Sequence, residues 1–271
     1  MRCIFCKGDS AASRSVEHII PEALGNIQHI LSRGMVCDAC NNYFGRKVEA
    51  PLLETPWFKH ARSRQWITTK RGRVPPMGGL VPSVGVAADV WTDGRNLTLS
   101  GRSELEDRRL VEAISDGRAR SVYIPIITTI DERLMARFMA KVALEIFAQR
   151  MRDIGGWEHV VIDDPQLEPL RRFARIGDIP SAWPLSRRPI YGENDVQATP
   201  AGDYQILHEY MLLYTGQREV YAVLCLFGEE FVINCGGPEI SGYEIWLSEN
   251  NNRSPLYLSD VLPSTPLLFR A

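Results

Sequence analysis

The sequence predicts an α+β protein in which a small cysteine-paired segment precedes a larger domain, and three observations carry that expectation. Two Cys-x-x-Cys pairs, Cys3/Cys6 and Cys37/Cys40, stand about thirty residues apart. Residues 131–151 place Leu134, Phe138, Val142 and Ile146 at four-residue spacing, the period of one helix face, with Met135, Met139 and Phe147 beside them. Residues 204–247 then run as short β-favouring segments, 204–214, 220–227, 230–235 and 243–247, separated by Thr215-Gly216, Gly228-Glu229 and Gly236-Gly237. A mostly antiparallel sheet packed on the long helix buries both.

The elements follow in chain order. Each cysteine pair offers two thiolates from one tight turn, and four such ligands suit a single tetrahedral zinc ion, so the segment is expected to hold structural Zn²⁺. Between the pairs, residues 16–20 read as a short strand carrying Glu17 and His18, which Pro21 ends because it cannot donate to a ladder. Gly25-Asn26 turns the chain, and residues 26–35 form a loop or a short second strand. A helix is expected from Cys37 to Ala50, with Asp38 in its first turn and Asn41-Asn42 directly after the last cysteine; Pro51 marks a break. The zinc knot thereby draws a carboxylate, an imidazole and an amide towards one point.

Those residues resemble the HNH endonuclease family, in its zinc-binding variants. The likeness rests on Glu17-His18-Ile19-Ile20-Pro21 running on to Leu24-Gly25, and on Cys37-x-x-Cys40-Asn41-Asn42 running on to Gly45. It covers roughly the first sixty residues. It implies a ββα-metal fold, one catalytic divalent metal and hydrolysis of DNA phosphodiester bonds. Carried over position by position, His18 matches the general base, Glu17 the acidic metal ligand before it, and Asn41 the metal ligand on the helix. Oxygen donors of this kind suit Mg²⁺ or Mn²⁺. An imidazole can take a proton from water at neutral pH, and a hard divalent ion can polarise a phosphate.

One position departs from the family pattern. The asparagine that orients the base usually stands a few residues before the second cysteine pair, where this chain has Ser32 and Arg33. Asn26 is the candidate from the preceding turn, Asn42 a weaker one, and a backbone carbonyl could also hold the imidazole. A non-catalytic zinc-knuckle protein that binds nucleic acid is therefore the alternative reading.

Charge points to the same partner. The chain carries −2 overall, but residues 1–75 hold twelve Lys/Arg against six Asp/Glu, which leaves the remainder at −8. A basic end beside an acidic remainder fits a polyanion bound at one end. Arg46, Lys47, Arg62 and Arg64 are the candidate nucleic-acid contacts. Trp57, Phe58 and Trp66, interleaved with Lys59, Arg62, Arg64, Lys70, Arg71 and Arg73, either stack on bases or pack inward.

The sequence divides as residues 1–72 for the nuclease-like domain, 73–85 for a linker marked by Pro75-Pro76, Gly78-Gly79 and Pro82, and 86–271 for the second domain. In the second domain Asp93-Gly94 signals a hairpin between residues 86–91 and 95–100. Ser103 with Glu106 reads as a capping box opening a helix to about Ser115. Residues 123–127 and 159–162 read as strands, 165–176 as a basic helix, and 177–201 as a long connection. At 271 residues the chain can build its own core.

Its longest apolar run, 221–227, is far too short to span a bilayer, and Met1-Arg2-Cys3 opens no signal segment, so a cytoplasmic protein is expected. Cys225 and Cys235 fit buried free thiols. The second domain is open to pairing two chains or to binding a signal or partner protein, as in prokaryotic antiviral systems that join such nucleases to unrelated domains.

Overall fold

The computed structural model describes residues 1–69, 72–92, 96–178, 180–192, 195–199, 202–205 and 207–257. The expected strand at 16–20 is reduced to a bridge between His18 and Ile30, flanked by Leu31 N–H donating to the Glu17 carbonyl (2.9 Å) and Ile19 N–H to the His29 carbonyl (3.0 Å). Helix α1 (Asp38–Phe44) begins as expected after an extended Cys37. A π-type turn over Gly45–Glu49 leads without interruption into α2 (Ala50–Leu53), so the helical run passes through Pro51 instead of breaking there. Helix α3 (Pro56–Arg64) starts on a proline, and it buries Trp57 and Phe58.

Residues 73–85, expected as a linker, contain strand β1 (Met77–Val81), whose ends Met77 and Val81 are buried. It pairs antiparallel with β2 (Val86–Thr92), and β2 with β3 (Leu97–Gly101), in the sheet order β1-β2-β3. The Asp93-Gly94 turn lies outside the described residues. Helix α4 (Glu104–Ser115) opens on the expected capping box: Ser103 Oγ accepts from Glu106 N–H at 3.3 Å and donates to Glu106 Oε2 at 3.1 Å. Leu110 packs there with Val81, Val86 and Ala88. The strand expected at 123–127 is a single bridge from Tyr123 to Leu80; Tyr123 and Ile126 are exposed, so no burial favours an extended ladder.

Helix α5 (Glu132–Met151) forms where the four-residue spacing predicts it, but it is buried on nearly every side rather than along one stripe. Its apolar face is therefore interior. Val161 and Ile162 are consecutive and both buried, which a strand would have put on opposite faces; residues His159–Asp163 form a π-type turn instead of the expected strand. Helix α6 (Glu168–Arg175) follows a short 3-10 turn capped by Asp164.

The expected connection 177–201 holds two strands, β4 (Leu185–Pro189) and β5 (Val196–Thr199). Strand β5 pairs with β6 (Gly202–Gln205) in a two-stranded ribbon. Strands β7 (His208–Tyr214), β8 (Val220–Leu226) and β9 (Glu229–Asn234) complete a sheet in the order β4-β9-β8-β7, antiparallel throughout. Strand β4 reads as a loop because it is an edge, where polar residues and a proline are tolerated. The last expected strand, 243–247, is helix α7 (Ser241–Glu249): Tyr243 and Leu247 are buried one turn apart, while Glu244 and Ile245 are exposed. They cluster with Tyr221, Val223, Cys225 and Val232, and α5 packs against β7, β8 and β9.

Two compact units result, and neither follows chain order. One joins Met1–Ile19, Gln28–Val48 and Glu132–Ala271; the other joins Ile20–Ile27 and Glu49–Asp131. No helix among the described residues is long and apolar enough to cross a membrane.

Candidate metal centre and active site

The first cysteine pair lies in a tight turn, with Lys7 N–H on the Cys3 carbonyl and Cys3 N–H on the Gly8 carbonyl, both 2.9 Å; Lys7 takes a left-handed φ of 61° to close it. Ile4 N–H donates to the Met35 carbonyl (2.9 Å), which sets this turn beside the second pair. Cys37 N–H points at Cys3 Sγ and Cys40 N–H at Cys37 Sγ, each 3.4 Å away. All four Sγ atoms lie within 4.8 Å of one another, and Cys6 and Cys37 are 3.6 Å apart. A zinc tetrathiolate with Zn–S near about 2.3 Å needs Sγ–Sγ edges of roughly 3.8 Å. The four cysteines could thus hold a zinc ion with small adjustment.

The thiols also differ in readiness. The Cys40 thiol, bonded to Cys3 and helped by backbone N–H groups, brings Cys3 down to about 4, while the same contact and burial push Cys40 up. A metal bound here would displace the protons that the thiols retain, those of the upward-shifted Cys37 and Cys40 among them. Among the described residues this is the single group of three or more His, Cys, Asp or Glu side chains close enough to share an ion.

Residues distant in sequence brace this knot. Arg171, 1% exposed on α6, donates to the Ile4 and Val161 carbonyls and to Glu168. Lys7 pairs with Glu168 at 2.6 Å, Arg2 with Asp163 at 2.9 Å, and Tyr43 donates to the Arg175 carbonyl.

Residues 3–56 match the HNH endonuclease family model. No curated protein and no solved structure matches the chain. The HNH domain points to a nuclease, with nucleic acid as its partner, and the two cysteine pairs and the Glu17–Asn41 positions all fall inside it.

Within the HNH domain, Asn41 Nδ2 donates to the Val16 carbonyl at 3.1 Å, which ties α1 to the segment carrying Glu17 and His18. His18 is half-buried. Glu17 is only 6% exposed, and its Oε1 lies 2.8 Å from Lys141 Nζ. Lys141 itself reaches Glu145 Oε2 (3.0 Å) and the His18 carbonyl (3.2 Å). Asn26 is buried, with Nδ2 donating to the Ile20 carbonyl at 2.6 Å, across the 3-10 turn of Glu22–Leu24. Asn42, Ser32 and Arg33 are exposed.

The four expected nucleic-acid contacts separate. Arg46, Lys47 and Arg64 are exposed, whereas Arg62 is 4% exposed, and burial lowers its pKa. Helix α3 turns Arg62 inward with Trp57, Phe58 and Ala61, so it does not present its guanidinium to a phosphate. Trp66 stays 51% exposed, and Lys70 and Arg71 lie outside the described residues. His60 is a core histidine whose pKa burial lowers, as burial does for His29.

Sequence reading missed Lys141, Glu145 and Arg171. A lysine and a glutamate four apart inside an otherwise apolar helix were the visible sign of the first two. Arg171 reads from the sequence as one cation of a solvated helix face with Arg172 and Arg175, and the structure buries it while Arg172 stays at the surface.

Proposed function

We propose that the protein is a metal-dependent endonuclease that hydrolyses DNA phosphodiester bonds, with His18 as general base. The observation that carries it is the Asn41–Val16 bond, which brings the amide after the last cysteine onto the segment of Glu17 and His18 inside an HNH domain. His18 would take a proton from the attacking water, so that the water oxygen bonds to phosphorus as the bridging oxygen leaves. Glu17 and Asn41 offer a carboxylate and an amide oxygen, hard donors that fit Mg²⁺ or Mn²⁺, and Asn41 spends its NH₂ on Val16. Such an ion supplies charge stabilisation at the phosphate and the leaving oxygen. Asn26, the remaining candidate for orienting the base, donates to the Ile20 carbonyl. Residues 86–271 would set the target or the trigger.

The second reading is a zinc-knuckle protein that binds nucleic acid without turnover, and the Glu17–Lys141 ion pair favours it, since a cation already sits on the carboxylate. A nicking assay on supercoiled DNA in Mg²⁺ or Mn²⁺ separates the two. Cleavage by the wild type, lost about a hundredfold or more in His18→Ala with DNA binding kept, is the expected result. Equal rates in the two proteins would falsify the base assignment, and no cleavage by either leaves the binding reading.

A further inference from the structure

We infer that Lys141 is a positioning residue that fixes Glu17 and His18 together, with Glu145 holding it in place; the inference rests on the nuclease reading. Lys141 is 0% exposed in the middle of α5, where an apolar side chain would fill the space without a buried charge. Lysine is almost never fully buried unless paired. Its ammonium has three donors, and three acceptors surround it: Glu17 Oε1 at 2.8 Å, Glu145 Oε2 at 3.0 Å and the His18 carbonyl at 3.2 Å.

Two of those acceptors belong to the consecutive residues that the nuclease reading uses. One contact fixes the rotation of the Glu17 side chain, and the other fixes the peptide that follows His18. Glu145, one helical turn from Lys141, anchors the ammonium from behind. Lys141 therefore decides where the Glu17 carboxylate stands.

The test compares Lys141→Met with Leu144→Ala, a packing change at another fully buried site of the same helix. Both are assayed well below their melting temperatures, after zinc content has been checked. Lys141→Met is expected to lower kcat about 10- to 100-fold, the scale of a misplaced catalytic group, with DNA affinity within about twofold of wild type. Leu144→Ala should keep kcat within about twofold despite its lower stability. A second readout needs no turnover: in histidine-labelled protein, the His18 imidazole resonances should shift in Lys141→Met and not in Leu144→Ala.

Should Lys141→Met fail to fold, Glu145→Gln serves, with an expected loss in kcat of about fivefold and a moved His18 resonance. Unmoved His18 resonances and an unchanged kcat in the folded variants overturn the inference. Inactive wild-type protein removes the nuclease reading instead, and the resonances still decide whether Lys141 sets His18.

Discussion

The guanidinium of Arg171 donates from Nε to the carbonyl of Ile4 at 2.7 Å, reaching from α6 into the turn between the first two cysteines. Its other nitrogens reach the Val161 carbonyl and Glu168 Oε2, both at 2.6 Å. Arg171→Met would leave two buried carbonyls without this donor, so it should cost about 3 kcal/mol. The urea midpoint should fall, and a chelator should strip the metal faster. An unchanged midpoint would mean that Arg171 only fills space.

Removal of the metal itself should be more damaging. Cys37→Ser or Cys40→Ser takes away one of four thiols clustered within 4.8 Å, and a small metal-held segment gains much of its folding free energy from the ion. Elemental analysis should find about one zinc per chain in the wild type and less than a tenth of that in either variant. Far-UV circular dichroism after exhaustive chelation should show lost helix. A chain that stays folded and metal-free would end the structural role given to zinc.

The sequence carried the thiol cluster because two Cys-x-x-Cys pairs are a recognisable ligand pattern, and carried α4 and α5 because a capping box and a four-residue period are local signals. It misread 243–247, where Tyr-Glu-Ile-Trp-Leu alternates like a strand while Tyr243 and Leu247 also share a helix face. It missed β4 because an edge strand need not be apolar. The candidate dipeptide Glu17-His18 was legible, but its partner Lys141 was not. A contact across 123 residues follows from tertiary packing, and no window of sequence contains it.

Arg46, Lys47 and Arg64 lie on the surface while Arg62 does not, so the four cations should behave differently. Replacing any one of the first three with Ala should weaken DNA binding similarly on all sequences and reduce the slope of log affinity against log salt by about 1. Arg62→Ala should instead lower stability by about 1–3 kcal/mol and leave that slope alone. A reduced salt slope in Arg62→Ala would show that the side chain reaches phosphate after all.

A chain cut near Arg73 tests where the nuclease module ends. By the expected division it contains the whole domain, and it keeps every cysteine of the metal cluster. It also loses Arg171 from the Ile4 carbonyl, Lys141 from Glu17, Glu168 from Lys7, Glu158 from the Arg2 amide and the Arg175 carbonyl from Tyr43. Each is a contact inside the unit that joins Met1–Ile19 and Gln28–Val48 to Glu132–Ala271. Zinc can close the knuckles, but it supplies none of these donors or charges to the Glu17-His18 segment. The fragment should therefore bind zinc yet give a poorly dispersed amide spectrum, and cut DNA at less than about a hundredth of the full-length rate. If it instead cut faster than the whole protein, the remainder would be covering a self-sufficient site, and α5 and α6 would be restraints rather than parts of the module.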